Sequence, residues 1–316
     1  MVYVHIPVLS EKCLEYLCPG EKDGLMVDAT VGEGGHSFAF LSKYQELKLV
    51  GLDADDNILA LAQERLTPFA GRFRLYSGWS QDFFTDYPSE VKKPDIILID
   101  LGVSLYHYKK SGRGFGFGKE EYLDMRLDTS GGITAAQLVA RLPEHELADL
   151  LYNNAGERFS RRIAKMIVIE RQKGAITTTS ALADVVERAV PASYRHGPIH
   201  PATKSFQALR IAVNGELSRL PDLLLGAFRV LEPGGRLGVI SFHSLEDRIV
   251  KNFFRTMNKN CTCPPQAPIC RCEGRRSVNI LTGKGIVPDK DEIERNPPSR
   301  SARLRVVEKI LDEGDE

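Results

Sequence analysis

The segment Val27-Asp-Ala-Thr-Val-Gly-Glu-Gly-Gly-His36 places a carboxylate, three close glycines and an imidazole at the end of a short apolar run. Gly32, Gly34 and Gly35 let the backbone turn tightly and approach a ligand, although a plain turn has the same look. Their spacing is not the G-x-G-x-x-G of a pyrophosphate loop. Carboxylates stand at the ends of three strand-like segments, as Asp28, Asp53 and Asp100. That set suits a ligand with a sulfonium, an ammonium group and a ribose diol, which favours S-adenosylmethionine over NAD. Asp53 lies eighteen residues beyond Gly35, about where a ribose-binding acid belongs. Trp79, the only tryptophan, follows the next strand; it either flanks an adenine or belongs to a core or domain interface.

A second group of residues follows Asp100. Arg113-Gly-Phe115-Gly-Phe117 reads as a base-stacking and steering element or as a hinge. Ser241-Phe-His-Ser-Leu-Glu-Asp247 leaves a late strand. There His243 reads as an acid/base or base-binding donor, while Ser244 would cap the next helix and Glu246 and Asp247 complement its dipole. Cys261, Cys263, Cys270 and Cys272 form two C-x-C pairs, whose one-residue spacers fit zinc less well than the usual two to four. Cys13 and Cys18 read as helix-face residues. No H-E-x-x-H, Walker loop or nucleophile triad competes.

The elements that position these groups alternate. Leu25–Thr30, Leu47–Asp53, Arg72–Tyr76 and Asp95–Asp100 read as strands, with a helix over Asn57–Leu66. Asp95–Asp100 is apolar throughout, as a strand buried on both faces should be. The pattern predicts an α/β fold with a parallel, doubly wound sheet. The next such strand, Arg236–Ser241, comes more than a hundred residues later, after a helical stretch Leu220–Leu231. Between them lie helical patterns at Ala135–Ala140, Glu144–Tyr152, Arg158–Gln172 and Ala181–Ala189. The economical reading is a helical domain over residues 105–206 inserted into a discontinuous domain of residues 1–104 and 207–316, with a Phe206–Leu217 helix returning to the latter.

Composition closes off other classes. The chain has 316 residues, 42% hydrophobic and 27% charged, which excludes wholesale disorder. No apolar run reaches the roughly 18 residues of a membrane span, no secretory signal opens the chain, and six cysteines are too sparse for a disulfide scaffold. A cytoplasmic location is expected. Lys+Arg and Asp+Glu balance at 42 each, yet Arg158 to Lys173 holds six Lys/Arg against Glu170 alone, and Arg295 to Lys309 five against Glu308. Such faces are either solvated helix surfaces or contacts for a nucleic acid.

Together these residues resemble the RsmH (MraW) family of bacterial 16S rRNA cytosine-N4 methyltransferases. The strings that carry the resemblance run nearly end to end: His5-Ile-Pro-Val-Leu, Asp28 to Ser37, Leu98 to Ser104, Arg113-Gly-Phe, Leu123 to Asp128, Gly156-Glu-Arg-Phe159, His200 to Ile211, Ser241 to Val250 and Asn296 to Arg305. The resemblance implies a class I SAM-dependent methyltransferase, Rossmann-like, with an inserted helical recognition domain. Its implied substrate is a decoding-region cytidine of the small ribosomal subunit's 16S rRNA. Carried over by position, the cofactor contacts fall on Gly34, Gly35, His36, Asp53, Trp79, Asp100 and His107. Family members often have Phe at position 79, and usually S-S-P-Q where this chain has Ser104-Leu-Tyr-His107. The four-cysteine loop is present in many members and absent from others, so the resemblance implies that no metal takes part in the chemistry. On this reading Asp100 is the catalytic residue, Phe115, Phe117 or Phe242 stacks on the base, His243 contacts it, and Arg113 with the Arg158–Lys173 face grips phosphates. A homodimer is left open. A DNA amino-methyltransferase, which lacks support from any D-P-P-Y-type motif here, and a non-catalytic SAM- or rRNA-binding assembly factor are the alternatives.

Overall fold

Apolar runs buried on both faces make the centre of a parallel sheet. The computed structural model describes residues 6–20, 24–197, 199–260 and 275–310; Cys261, Cys263, Cys270 and Cys272, with the zinc question they raise, lie outside the described residues. The strands are β1 (Leu25–Asp28), β2 (Lys48–Asp53), β3 (Phe73–Ser77), β4 (Ile96–Asp100), β5 (Arg236–Ser241), β6 (Val278–Ile280) and β7 (Arg303–Lys309). They form one seven-stranded sheet in the order β3-β2-β1-β4-β5-β7-β6. The β1–β2, β2–β3, β1–β4 and β4–β5 pairs are parallel, and β7 runs antiparallel to both β5 and β6. This is the sheet of the class I methyltransferases, doubly wound with one reversed strand. The chain order reverses between β1 and β4, so their carboxyl ends open the crevice in which such sheets bind ligands.

Alternate residues of the central strands feed two cores. Val27, Ile97 and Val239 pack with Leu220, Leu224 and Phe228 on one side. Met26, Leu98 and Ile240 pack with Leu17, Phe40 and Leu304 on the other. A two-residue repeat with both sides covered leaves no polar face, which is why β1 and β4 read as unbroken apolar runs. No helix of the described residues is long and apolar enough to cross a membrane.

Two compact units divide the chain: residues 1–102 with 219–316, and Val103–Ser218. The second is helical, with a core of its own that includes Leu138, Leu151, Ile163, Val186 and Phe206. The expected Phe206–Leu217 helix is instead Thr203–Asn214, ended by Gly215 at φ 62°, and it belongs to this second unit. Buried Asn214 explains part of that. Its Nδ2 donates to Met125 O at 2.8 Å and to Arg210 O at 2.9 Å, and its Oδ1 accepts from Leu127 N at 2.8 Å. Leu123–Asp128 is thus pinned by a side chain almost ninety residues on. Cys13 is on a helix, Ser10–Tyr16, whereas Cys18 lies past its end and its Sγ takes Arg236 Nη1 at 2.9 Å.

Candidate active site

The crevice at the carboxyl ends of β1, β2 and β4 gathers the residues of the first group. Asp28, at the end of β1, is buried, and its oxygens accept Ser37 Oγ at 2.6 Å and Thr30 N at 3.4 Å. Asp28 therefore ties the glycine loop to the following helix. Burial pushes its carboxyl above the ordinary value. Gly34 precedes the helix Gly35–Lys43 at φ 75°, and a Cβ there would meet Leu66 at 3.4 Å; the left-handed turn is what brings the loop amides over the strand ends.

At the end of β2, Asp53 accepts Gly32 N at 3.1 Å through Oδ2 and Asp55 N at 3.0 Å through Oδ1. It couples the glycine loop to the second strand while standing where a ribose-binding acid belongs. Trp79 follows β3 and is half-buried, with the Arg219 guanidinium 4.4 Å from its ring centroid. One face of the indole thus meets a cation within the same unit.

Asp100 ends β4. Its backbone N–H donates to Thr30 Oγ1 at 2.6 Å, and its Oδ1 accepts Gly102 N at 3.2 Å. Its Oδ2 lies 3.7 Å from His36 Nε2. Among the described residues neither ring nitrogen of His36 has a hydrogen-bond partner, and the ring is buried. Burial alone would lower the His36 pKa; the Cys13 sulfur and the Asp100 carboxylate outweigh it and hold it up at about 10. Cys13 itself is pushed upward by burial. A histidine raised above its unfolded value of about 6.5 stabilises the fold fully below that pH and loses the contribution as pH rises through about 10. The melting temperature of the wild type minus that of His36→Gln should therefore be largest near pH 6 and shrink toward pH 10. A difference that stays flat over that range would show that His36 carries no linked proton.

The loop after β5 behaves differently from its sequence reading. His243, not Ser244, is the N-cap of the helix Ser244–Met257: its Nδ1 accepts Glu246 N at 3.4 Å, and Glu246 returns Oε2 to His243 N at 3.2 Å. Glu246 Oε1 also lies 3.0 Å from His243 Nε2. Nδ1 is thus used in a capping box, in place of the cap expected from Ser244, whereas Nε2 makes no hydrogen bond among the described residues. Phe242 packs its ring across Gly102, where a Cβ would come within 2.7 Å of it. Only glycine admits that ring two residues beyond Asp100.

The remaining expected residues belong to the second unit, and its folding engages most of their groups. Arg113 Nη1 donates to Arg126 O at 2.9 Å and Leu127 O at 3.0 Å. Phe115 is buried, 4.9 Å from the ring of buried His107, so stacking on a base would require opening this core. Phe117 is stacked on His200 at 4.4 Å. In the Arg158–Lys173 stretch, Arg171 Nη1 holds Val139 O and Leu142 O, Lys173 pairs with Glu170, and Arg158 lies over Phe159 and Tyr194. Arg161, Arg162 and Lys165 remain as exposed cations. Half of this basic run is engaged within the unit; Arg171 shows that a guanidinium satisfies two carbonyls at a helix end as readily as a phosphate.

Buried Glu157 was not singled out by sequence. It accepts Phe159 N at 2.8 Å and Tyr194 Oη at 3.0 Å, and burial with that carboxylate pushes the Tyr194 phenol up to about 12. Its signal lay in the string Gly156-Glu-Arg-Phe, which is a structural lock.

Comparison with known proteins gives this crevice its context. The sequence pattern of the MraW methylase family matches residues 2–310. This chain belongs to the MraW methylase family. It is 55% identical over 307 residues to the ribosomal RNA small subunit methyltransferase H of Treponema denticola, covering 97% of this chain and 98% of that one. Its counterpart of the same name in Heliobacterium mobile is 46% identical over 313 residues, with 98% and 100% covered. That of Treponema pallidum is 43% identical, with 96% and 92% covered. A family member is thereby expected to carry its methyl donor at the β1/β4 crevice, and the residues here fit one. Asp53 and Asp100 offer carboxylate oxygens of the kind that accept from cationic or diol groups, and among the described residues His36 brings buried nitrogens without hydrogen-bond partners.

Proposed function

We propose that this MraW-family methylase transfers the methyl group of S-adenosylmethionine to the N4 amino group of a cytidine in the decoding region of 16S rRNA. The observation that carries the reading is Asp100 at the end of β4, beside the reversal of strand order and against the glycine loop. Near-full-length similarity to ribosomal RNA small subunit methyltransferases supports the substrate.

Gly34, Gly35, His36, Asp53, Trp79 and Asp100 would hold the cofactor. When bound, S-adenosylmethionine supplies an electrophilic methyl group on a sulfonium. The protein's contribution is orientation and electrostatics. A cytosine amino nitrogen is a poor nucleophile because its lone pair is delocalised into the ring. Asp100 accepts a hydrogen bond from that amino group as it pyramidalises, which concentrates the lone pair and spreads the developing positive charge. The proton then leaves to solvent. Phe242, laid over Gly102, presents an aromatic ring beside Asp100 for an unpaired base to stack on. The protein acts in the cytoplasm, on the small subunit or its rRNA.

Mass spectrometry of small-subunit rRNA from cells with and without the gene tests this. One methylated cytidine in the decoding region should disappear with the gene and return when purified protein and S-adenosylmethionine are added. An unchanged modification map would remove rRNA as the substrate. Methyl transfer to deproteinised DNA instead would favour the DNA amino-methyltransferase.

A further inference from the structure

A second concentration of charge lies beyond the crevice, at the β6–β7 edge of the sheet. From Arg248 to Asn260 and from Arg275 to Pro288 the chain carries seven Lys/Arg residues and no Asp or Glu, within a sequence that balances 42 against 42. Lys251 and Arg255 lie one turn apart on the helix Ser244–Met257, and Lys259 follows four residues later just past its end. On a helix that spacing shares one face, at about 6 Å per step along the axis. All three are exposed, and among the described residues none has an acidic partner.

They line a cavity of about 400 Å³ together with residues of the other elements at this edge, Thr282 and Gly283 after β6 and Arg305 of β7. Phe254 provides an apolar floor. Arg305 is buried and neutralised by Asp247, at 2.7 and 3.1 Å. The lysine and arginine on the helix have no such partner. Asn258, also in the lining, accepts Arg276 Nε–H through its Oδ1 at 2.9 Å, which leaves its amide N–H groups as donors. The helix dipole rewards Arg255 and Lys259 near the C-terminus. It does not reward Lys251 two turns back, nor does it account for a cavity shared with residues of β6 and β7. Like charges sharing a wall repel one another unless an anion lies between them.

We propose that this cavity binds backbone phosphates of an RNA strand, as an anchoring site separate from the methyl-transfer crevice. Three inter-strand steps separate β6 from β4, about 14 Å across the sheet. Bound here, a strand would be gripped without sequence readout while a nucleotide elsewhere on it reaches Asp100. The inference rests on the RNA substrate proposed above, but its test reads binding and not methylation.

The probe is a fluorescent 20-nucleotide single-stranded RNA, titrated against the full chain at several salt concentrations. Lys251→Gln, Arg255→Gln and Lys259→Gln combined should weaken binding at least tenfold near 0.15 M salt. Three lost phosphate contacts should flatten the plot of log affinity against log salt by about 2, at roughly 0.7 per contact for a single strand. The affinity for S-adenosylmethionine should not change. Lys251→Arg with Lys259→Arg should bind RNA as the wild type does, which separates charge from packing. An unchanged RNA affinity and salt slope in the triple glutamine variant would overturn the proposal. So would tight binding of inorganic pyrophosphate that RNA fails to displace, since the cavity would then be a small-anion site. A wild type that binds RNA in this way yet methylates no rRNA would count against the proposed function alone.

Discussion

Asp100→Asn should lower the turnover of methyl transfer about 10²–10³-fold, the range found when one preorganised group is removed from a transition state. The substitution keeps the shape of the side chain. Asn can still accept the Gly102 N–H that now bonds Oδ1 at 3.2 Å, so the β4 turn should survive. On the role proposed for Asp100, what is lost is a negative acceptor for the amino group as positive charge develops on it. The decisive comparison is single-turnover rate at saturating S-adenosylmethionine against the affinity for that cofactor. A rate within threefold of wild type would remove Asp100 from the chemistry. A preserved rate with weakened cofactor binding would assign the carboxylate to the cofactor alone.

The second large effect concerns stability. Gly114 has φ 71°, and a Cβ built on it would stand 2.4 Å from the Tyr122 carbonyl oxygen. That oxygen is not the end of a flexible side chain. Tyr122 is bridged to Thr178, and Leu123 N donates to Thr177 O at 2.9 Å. Gly114 N also donates to Glu121 Oε2 at 2.9 Å, so the turn is held from within. Gly114→Ala should therefore combine a left-handed backbone penalty of about 1–2 kcal/mol with overpacking of about 1–3 kcal/mol. Thermal unfolding should shift down by about 4–20 °C, at roughly 2–4 °C per kcal/mol for larger domains. Gly131→Ala is the control, since nothing lies within 4 Å of a Cβ there and its φ is ordinary. Equal melting temperatures for the two variants would show that the Arg113–Phe117 turn can relax at no cost.

The Gly114 argument also explains why Arg113-Gly-Phe-Gly-Phe looked like a recognition element. Glycines, aromatics and an arginine at short spacing are the vocabulary of base stacking, but equally of a tight turn whose arginine satisfies carbonyls. Arg113 gives Nη1 to Arg126 O and Leu127 O, acceptors brought near by a chain reversal that no local pattern announces. Arg171 and the helix-capping His243 follow the same rule.

Local pattern did determine the elements buried on both faces. β1, β4 and β5 are continuous apolar runs because helices cover both sides of the sheet, and their boundaries match the reading to within two residues. It also determined that Asp28, Asp53 and Asp100 end strands, that a glycine loop follows the first of them, and that a long helical stretch separates β4 from β5. β6 and β7 were not legible. β6 is three residues long, and β7 buries Arg305 where the alternation wants an apolar side chain, which Asp247 of a separate helix makes tolerable.

Residue type and spacing thus settled which groups stand at the sheet's carboxyl edge, because burial and strand termination are local properties of the chain. Only the tertiary structure decided what those groups touch. Asp28 is spent on Ser37, and Asp100 faces His36. Lys251, Arg255 and Lys259 share a cavity with Thr282 and Arg305. Hydrogen-bond and charge partners come from segments tens to hundreds of residues apart, and a periodicity records only that a side chain is buried, never which side chain buries it.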